Sequence, residues 1–90
     1  MFRLWAKIWK SNHMMKDMVV SNEEKEWNRT KKIFSAIEDV CNEFDLSRPI
    51  WLDTNIAEFK KHDKVRFSKD NFIDDIDFDY LEIQVIEEDE

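Results

Sequence analysis

Glycine is absent from this chain, and proline and cysteine occur once each. Without glycine, neither the P-loop nor the Gly-rich dinucleotide fingerprint can be present, so the nucleotide-binding classes that depend on them are excluded. Backbone positions with positive φ are predicted to fall on Asn or Asp, which tolerate this region better than other non-glycine residues. We expect Asn12, Asn42 and Asn71 at turns or helix ends. The single cysteine, Cys41, excludes an intramolecular disulfide.

Long apolar runs are also missing, since no segment approaches the ~20 apolar residues of a membrane span. The first ten residues carry Arg3, Lys7 and Lys10 among their apolar side chains, so they lack the apolar core of a signal peptide. The chain is therefore expected to be cytoplasmic. Its 90 residues predict a single domain over residues 1–90, with a frayed acidic end at about 87–90.

Aromatic residues are abundant, with seven Phe, four Trp and one Tyr. Each ring can bury ~150–250 Å², which offsets the ordering entropy of a short chain. Charge is distributed unevenly. All 14 Lys and Arg residues lie in residues 1–69, with 11 acidic residues, whereas residues 70–90 hold 10 acidic residues and no basic one.

Alternating apolar and polar residues predict strands at both ends of the chain. Phe2 to Lys10 alternates throughout, a turn follows at residues 11–13, and residues 14–20 read as the second strand of a hairpin. Residues 64–68 predict a third strand, and Tyr80 to Glu87 predict the last.

Helical spacing occupies the middle of the chain. Ser21 and Glu24 fit a capping box, and a helix is predicted over residues 22–45. Its apolar stripe comprises Trp27, Phe34, Ile37, Cys41 and Phe44. A shorter helix is predicted from Asp53 or Thr54 to about His62, with Ile56 and Phe59 facing inward.

The order of elements is therefore ββ-α-α-ββ, which predicts an α+β fold. The economical arrangement is a small antiparallel sheet of about four strands, with one long and one short helix packed on one face.

One candidate interaction surface is formed by alternate residues of the first strand, Arg3, Trp5, Lys7 and Trp9. Rings interleaved with cations can stack single-stranded nucleic acid. The alternative is that the tryptophans cover a second core face while the Lys and Arg stems extend to water. The acidity of the whole chain opposes nucleic-acid binding.

A second candidate surface is the acidic segment with Asp74, Asp75, Asp77 and Asp79, preceded by Asp70. Carboxylates suit hard cations, but the segment lacks the central Gly and closing Glu of a calcium loop, so we predict no metal site. The acidic residues of the C-terminal region could also imitate DNA phosphates. The simplest interpretation is a solvated segment that keeps the protein soluble.

Chemistry-bearing residues give little support to an enzyme. His62 beside Asp63 is the one pair with general-base character, and a histidine at a helix end more often faces solvent. Cys41 lies on the apolar helix stripe, where a buried inert thiol is expected. We predict no catalytic residue and no cofactor.

Residues 48–55, RPIWLDTN, and residues 78–87, FDYLEIQVIE, resemble segments of short uncharacterised bacterial proteins. The resemblance implies a bacterial cytoplasmic origin and carries no functional residue.

The sequence does not specify a function. The interpretation it favours is a small non-enzymatic protein–protein interaction domain, with an unidentified protein partner or a homodimer, and no nucleic acid or membrane partner. An edge strand, either in the N-terminal hairpin or at Tyr80 to Glu87, is the expected contact. Two alternatives stay open: a nucleic-acid-related protein, acting through Trp5 and Trp9 or as a DNA mimic, and an enzyme using His62.

Overall fold

A computed structural model describes residues 1–88 of the chain. The elements are β1 (Phe2–Lys10), β2 (His13–Asn22), α1 (Arg29–Phe44), α2 (Asp53–His62), β3 (Lys64–Phe67) and β4 (Tyr80–Glu87), with a 3-10 turn at Lys69–Asn71. The strands form one antiparallel sheet in the order β2-β1-β4-β3. The predicted α+β fold is confirmed. The last two residues of the predicted frayed end, Asp89 and Glu90, lie outside the described residues.

The hairpin of β1 and β2 turns through Ser11 and Asn12, which have φ angles of 52° and 65°. Positive φ at both central residues is the requirement of a type I′ turn, whose twist matches that of the flanking strands. The prediction for Asn12 is confirmed, whereas the expectation that only Asn or Asp would take such positions is wrong at Ser11.

Helix α1 begins seven residues later than predicted, because Ser21 and Asn22 extend β2 and pair with Arg3 and Phe2 of β1. The N-cap is Asn28, whose side-chain oxygen accepts a hydrogen bond from the Lys31 backbone N at 2.8 Å. The pairing of β2 with β1 therefore prevails over the local capping box at Ser21.

Two aspartates end the helices in the left-handed region: Asp45 after α1, with φ 56°, and Asp63 after α2, with φ 55°. Asn71 lies in the 3-10 turn, as expected, whereas Asn42 lies within α1, and neither residue has a positive φ. In this chain, aspartate takes the helix-end role that glycine often has elsewhere.

The core lies between the helices and one face of the sheet, here called the inner face. The sheet contributes Phe2, Leu4, Ala6, Ile8, Val65, Phe67, Leu81 and Ile83, and the helices contribute Ile33, Ala36, Ile37, Val40, Cys41 and Phe59. The alternation read from β1 thus assigns its inner residues correctly.

The strand order corrects one expectation about partners. Strand β4 lies between β1 and β3, so Tyr80 to Glu87 is not an edge strand. The edges are β2, the second strand of the hairpin, and the four-residue β3.

Candidate functional site

The predicted surface residues of β1, which are Arg3, Trp5, Lys7 and Trp9, lie on the sheet face opposite the helices, here called the outer face. Strand β4 places Tyr80 and Glu82 beside them, because Trp9 pairs with Tyr80 and Lys7 pairs with Glu82. Strand β3 adds Arg66, which pairs with Glu82 on the other side. Three adjacent strands therefore bring cations, rings and one carboxylate together.

The outer face is organised around the Glu82 carboxylate. Its Oε1 lies 3.0 Å from Lys7 Nζ, and its Oε2 accepts a hydrogen bond from Arg66 Nε at 3.0 Å. Lys7 Nζ also donates to Gln84 Oε1 at 3.0 Å. Although no helix covers this face, Lys7 and Glu82 are only 7% and 3% exposed. The neighbouring side chains themselves bury the pair.

Aromatic rings complete this network. Lys7 Nζ lies 3.8 Å from the centre of a Trp5 ring, and Trp5 Nε1 donates to Asp17 Oδ2 at 2.8 Å. Arg66 lies 4.6 Å from the Tyr80 ring, whose centre is 6.2 Å from that of Trp9. Cation–π contacts of this kind hold the rings in place over the charges. Most polar groups of the face are therefore already engaged with one another.

Ionisation of Glu82 follows from this environment. Burial desolvates the carboxylate and by itself raises its pKa, but the hydrogen bonds and charges of Arg66 and Lys7 outweigh that effect, and the pKa is lowered. The hydrogen bond with Glu82 is the main cause that raises the pKa of Arg66. A carboxylate held ionised between two cations is a weak base, so the arrangement is not that of a general acid–base site.

The predicted acidic residues Asp74, Asp75, Asp77 and Asp79 are exposed in the irregular segment between the 3-10 turn and β4. Only Asp79 contacts the β1 surface: its backbone N donates to Trp9 O at 2.9 Å, and its Oδ2 accepts from Ser11 N at 2.8 Å. Within residues 1–88, no three His, Cys, Asp or Glu side chains come together as a metal site. The two predicted surfaces thus touch only at the hairpin turn.

Sequence reasoning missed a surface on the helix side, here called the helix groove. It consists of two adjoining hollows between α1, α2 and residues 48–51, with volumes of about 270 and 490 Å³. Their walls are mainly apolar and include Ile33, Phe34, Trp51, Ile56 and Phe59. Phe34 and Trp51 border both hollows.

Two residues of the groove were expected to be in the core. Phe34 is 53% exposed and Ile56 is 39% exposed, so their predicted burial is wrong. Phe34 follows Ile33 in α1. Ile33 packs on the sheet, whereas Phe34 lies at the edge of the apolar stripe, which is wider than the part of the helix that the sheet covers. Two adjacent apolar residues at the edge of such a wide stripe indicate that one of them is exposed.

Trp51 connects the groove to the core. Its ring packs edge-on against Phe59 and Phe67, with centroid distances of 5.6 and 5.0 Å, and against Phe34 at 6.1 Å. Since Phe67 is fully buried, its contact with Trp51 joins the groove wall to the core.

Positive residues surround the groove. Arg29 pairs with Asp63 at 2.6 Å and also with Glu88, and Arg48 pairs with Glu38 at 3.3 Å. The Glu88 hydrogen bond is the main cause of the raised pKa of Arg29.

Two rim lysines lack such partners. Lys31 lies over the Trp27 ring at 4.3 Å, and neither it nor Lys60 forms an ion pair within the described part of the chain. An apolar hollow with unpaired positive charge at its rim is the result.

The residues considered for catalysis do not line either surface. His62 is exposed at the end of α2, and the neighbouring Asp63 accepts a hydrogen bond from Arg29. Cys41 is buried in the core, where desolvation raises the pKa of its thiol and disfavours the reactive thiolate.

Comparison with protein-family models, curated proteins and solved structures found no match for the chain. Function therefore has to be argued from the two surfaces themselves. Among residues 1–88, no helix has the length and apolar character needed to cross a membrane.

Proposed function

We propose that this protein is a small, non-enzymatic protein-interaction domain that binds a partner segment in the helix groove. The segment would carry an apolar anchor side chain flanked by acidic residues. Complementarity to the groove supports this choice, because the walls are apolar and the rim carries Lys31 and Lys60, which form no ion pair within residues 1–88.

The observation that carries the proposal is the exposure of Phe34 and Ile56 beside the well-packed Trp51. A contiguous apolar depression on a folded domain is typical of an interaction site. The two adjoining hollows, of about 270 and 490 Å³, together have room for an anchor side chain and the residues beside it.

The outer face has a secondary role in this proposal. Its rings and Arg66 are of the kinds enriched in binding hot spots, yet Lys7, Glu82 and Arg66 satisfy one another. Trp9 Nε1 is buried without a hydrogen-bond partner in the described residues, which leaves one donor of this face unused. We also propose a cytoplasmic location, in keeping with a single cysteine that allows no intramolecular disulfide.

Site-specific photocrosslinking tests the proposal. Benzoylphenylalanine replaces Phe34 in the groove or, as a control of similar exposure, Val19 on β2. Irradiation in the cells from which the sequence comes is expected to give a discrete protein adduct from position 34 and none from position 19. A position-34 variant that is folded but forms no protein adduct would overturn the assignment of the groove.

A further inference from the structure

The chain itself contains a segment that matches the groove. Ile73 is 81% exposed, more than any other large apolar residue described, and is followed directly by Asp74 and Asp75. An exposed apolar side chain followed by two carboxylates has the chemistry expected of a partner for an apolar groove with positive charge at its rim. The segment formed by residues 73–79 is here called the acidic loop.

Contacts before the acidic loop fix its position. Asn71 is 2% exposed; its Nδ2 donates to Ile50 O and to Asn55 Oδ1, each at 2.7 Å. Ile50 N donates in turn to Asn71 O at 2.6 Å. Ile73 is therefore presented two residues after a firmly held asparagine.

Contacts across the acidic loop also restrain it. The rings of Phe72 and Phe78 pack edge-on with centroids 6.1 Å apart, and Asp79 is bound to the hairpin turn through Ser11. A loop restrained at both ends loses less conformational entropy on binding than a free peptide does.

The acidic loop does not fill the groove of its own chain, because Ile73 is in solvent. Both features nevertheless flank the same helix: Asn55 of α2 holds the residue before the loop, and Ile56 and Phe59 of α2 line the groove. A dimer in which the loop of each copy lies in the groove of the other has two-fold symmetry. Reciprocal contacts of this kind close the assembly at two copies.

We infer that a second copy of this chain occupies the helix groove, with Ile73 as the apolar anchor and Asp74 and Asp75 facing Lys31 and Lys60. This inference rests on the proposed function of the groove. Opposite charges at the rim select the orientation and make the association sensitive to salt.

Sedimentation equilibrium of the full chain tests the inference with two variants at exposed sites. Ile73→Ser removes the anchor and Phe34→Ser alters the groove, while Val19→Ser is a control of similar exposure. The wild type and the control are expected to dimerise. Each test variant should weaken dimerisation by at least ~100-fold, because the substitution is present in both copies and both reciprocal contacts lose one buried apolar side chain.

Mixing the variants separates a direct contact from damage to the fold. Ile73→Ser retains an intact groove and Phe34→Ser retains an intact loop, so their mixture can form one of the two reciprocal contacts. Dimer should therefore reappear in the mixture, at an affinity between those of the wild type and the separate variants. Absence of dimer in the mixture, with dimerising wild type, would overturn the loop-in-groove contact.

A monomeric wild type at about 50 mM salt and at several hundred micromolar protein would also overturn the inference. A monomeric wild type leaves the proposed function in place if position 34 still crosslinks to a different protein. A monomeric wild type together with no protein adduct from position 34 would overturn both proposals. A dimer that all three variants leave unchanged would place the self-contact elsewhere and contradict the inference.

Discussion

The outer face of the sheet and the helix side differ in how far their uncovered side chains contact one another. On the outer face, Lys7, Glu82 and Arg66 bond to one another beneath the Trp5 and Tyr80 rings, so polar groups are buried without a covering layer. On the helix side, Phe34 and Ile56 are exposed beside Trp51. The comparison shows that rings and paired charges can bury one another on a face without a covering layer, whereas the two helices leave apolar side chains exposed.

The strongest way to break this comparison is to remove the central carboxylate. Glu82→Ala leaves Lys7 buried beside Gln84 and the Trp5 ring without the carboxylate that balances its charge, and the free energy of unfolding should fall by about 3 kcal/mol. Urea unfolding monitored by tryptophan fluorescence measures the change. Glu87→Ala, which removes a half-exposed carboxylate 3.7 Å from Arg3, should cost less than about 0.5 kcal/mol. Equal losses for the two variants would show that the outer-face network does not stabilise the fold.

Low pH should lower the free energy of unfolding by protonating Glu82 on the outer face. The pKa of Glu82 is lowered in the folded protein, so its contribution is complete above the unfolded value of about 4.3 and is lost as pH falls through the folded value. Unfolding free energies at several pH values should therefore decline more steeply below about pH 4 for the wild type than for Glu82→Gln. Parallel curves for the two proteins would contradict the role of Glu82.

Removing the N-cap of α1, which precedes Arg29 of the groove rim, should have a smaller effect on the free energy of unfolding. Asn28→Ala removes the acceptor for Lys31 N and should lower the free energy of unfolding by about 1 kcal/mol. Ser21→Ala is the comparison, since the capping box predicted there is not formed. A larger loss from Ser21→Ala than from Asn28→Ala, measured by thermal unfolding, would restore the longer helix.

Groove substitutions should lower the free energy of unfolding no more than the loss of the Asn28 cap does. Phe34→Ser loses an exposed ring and its edge contact with Trp51, so the free energy of unfolding should fall by about 1 kcal/mol or less. Its effect on dimerisation should be far larger than that. A loss of stability comparable to that of Glu82→Ala would make Phe34 a core residue and remove the contrast between the two sides.

No effect at all is expected when the outer face meets single-stranded nucleic acid. Its cations are paired internally, so titration with an oligothymidylate at about 50 mM salt should leave tryptophan fluorescence unchanged. Salt-sensitive quenching that Trp5→Ala abolishes would instead support the nucleic-acid alternative.

Local patterns predicted most of the fold. The period-two alternation of β1, the bounds of α2 and the bounds of β4 were readable because each depends on neighbouring residues. The start of α1 was not, because Ser21 offers a good local cap and only the pairing of β2 with β1 excludes it. Strand order likewise depends on contacts between residues distant in sequence, so local patterns do not show that β4 lies between β1 and β3.

The candidate site was predictable only in part. Alternation placed Arg3, Trp5, Lys7 and Trp9 on one face, but their internal pairing depends on Glu82 and Arg66 from other strands. The groove depends on how α1 and α2 lie on the sheet, and an apolar stripe does not reveal which of its members the sheet leaves uncovered. The stripe therefore predicts that Phe34 is a core residue, although the packing of α1 leaves it exposed.

Methyl NMR during dilution tests the central claim most directly. With Ile and Val methyl groups labelled, the signals of Ile73 and Ile56 should shift together as the protein is diluted, while Val19 stays constant. Salt should move the transition to higher protein concentration. Signals of Ile73 and Ile56 that do not change across the whole concentration range would contradict the account, as would a transition in which Val19 moves and Ile56 does not.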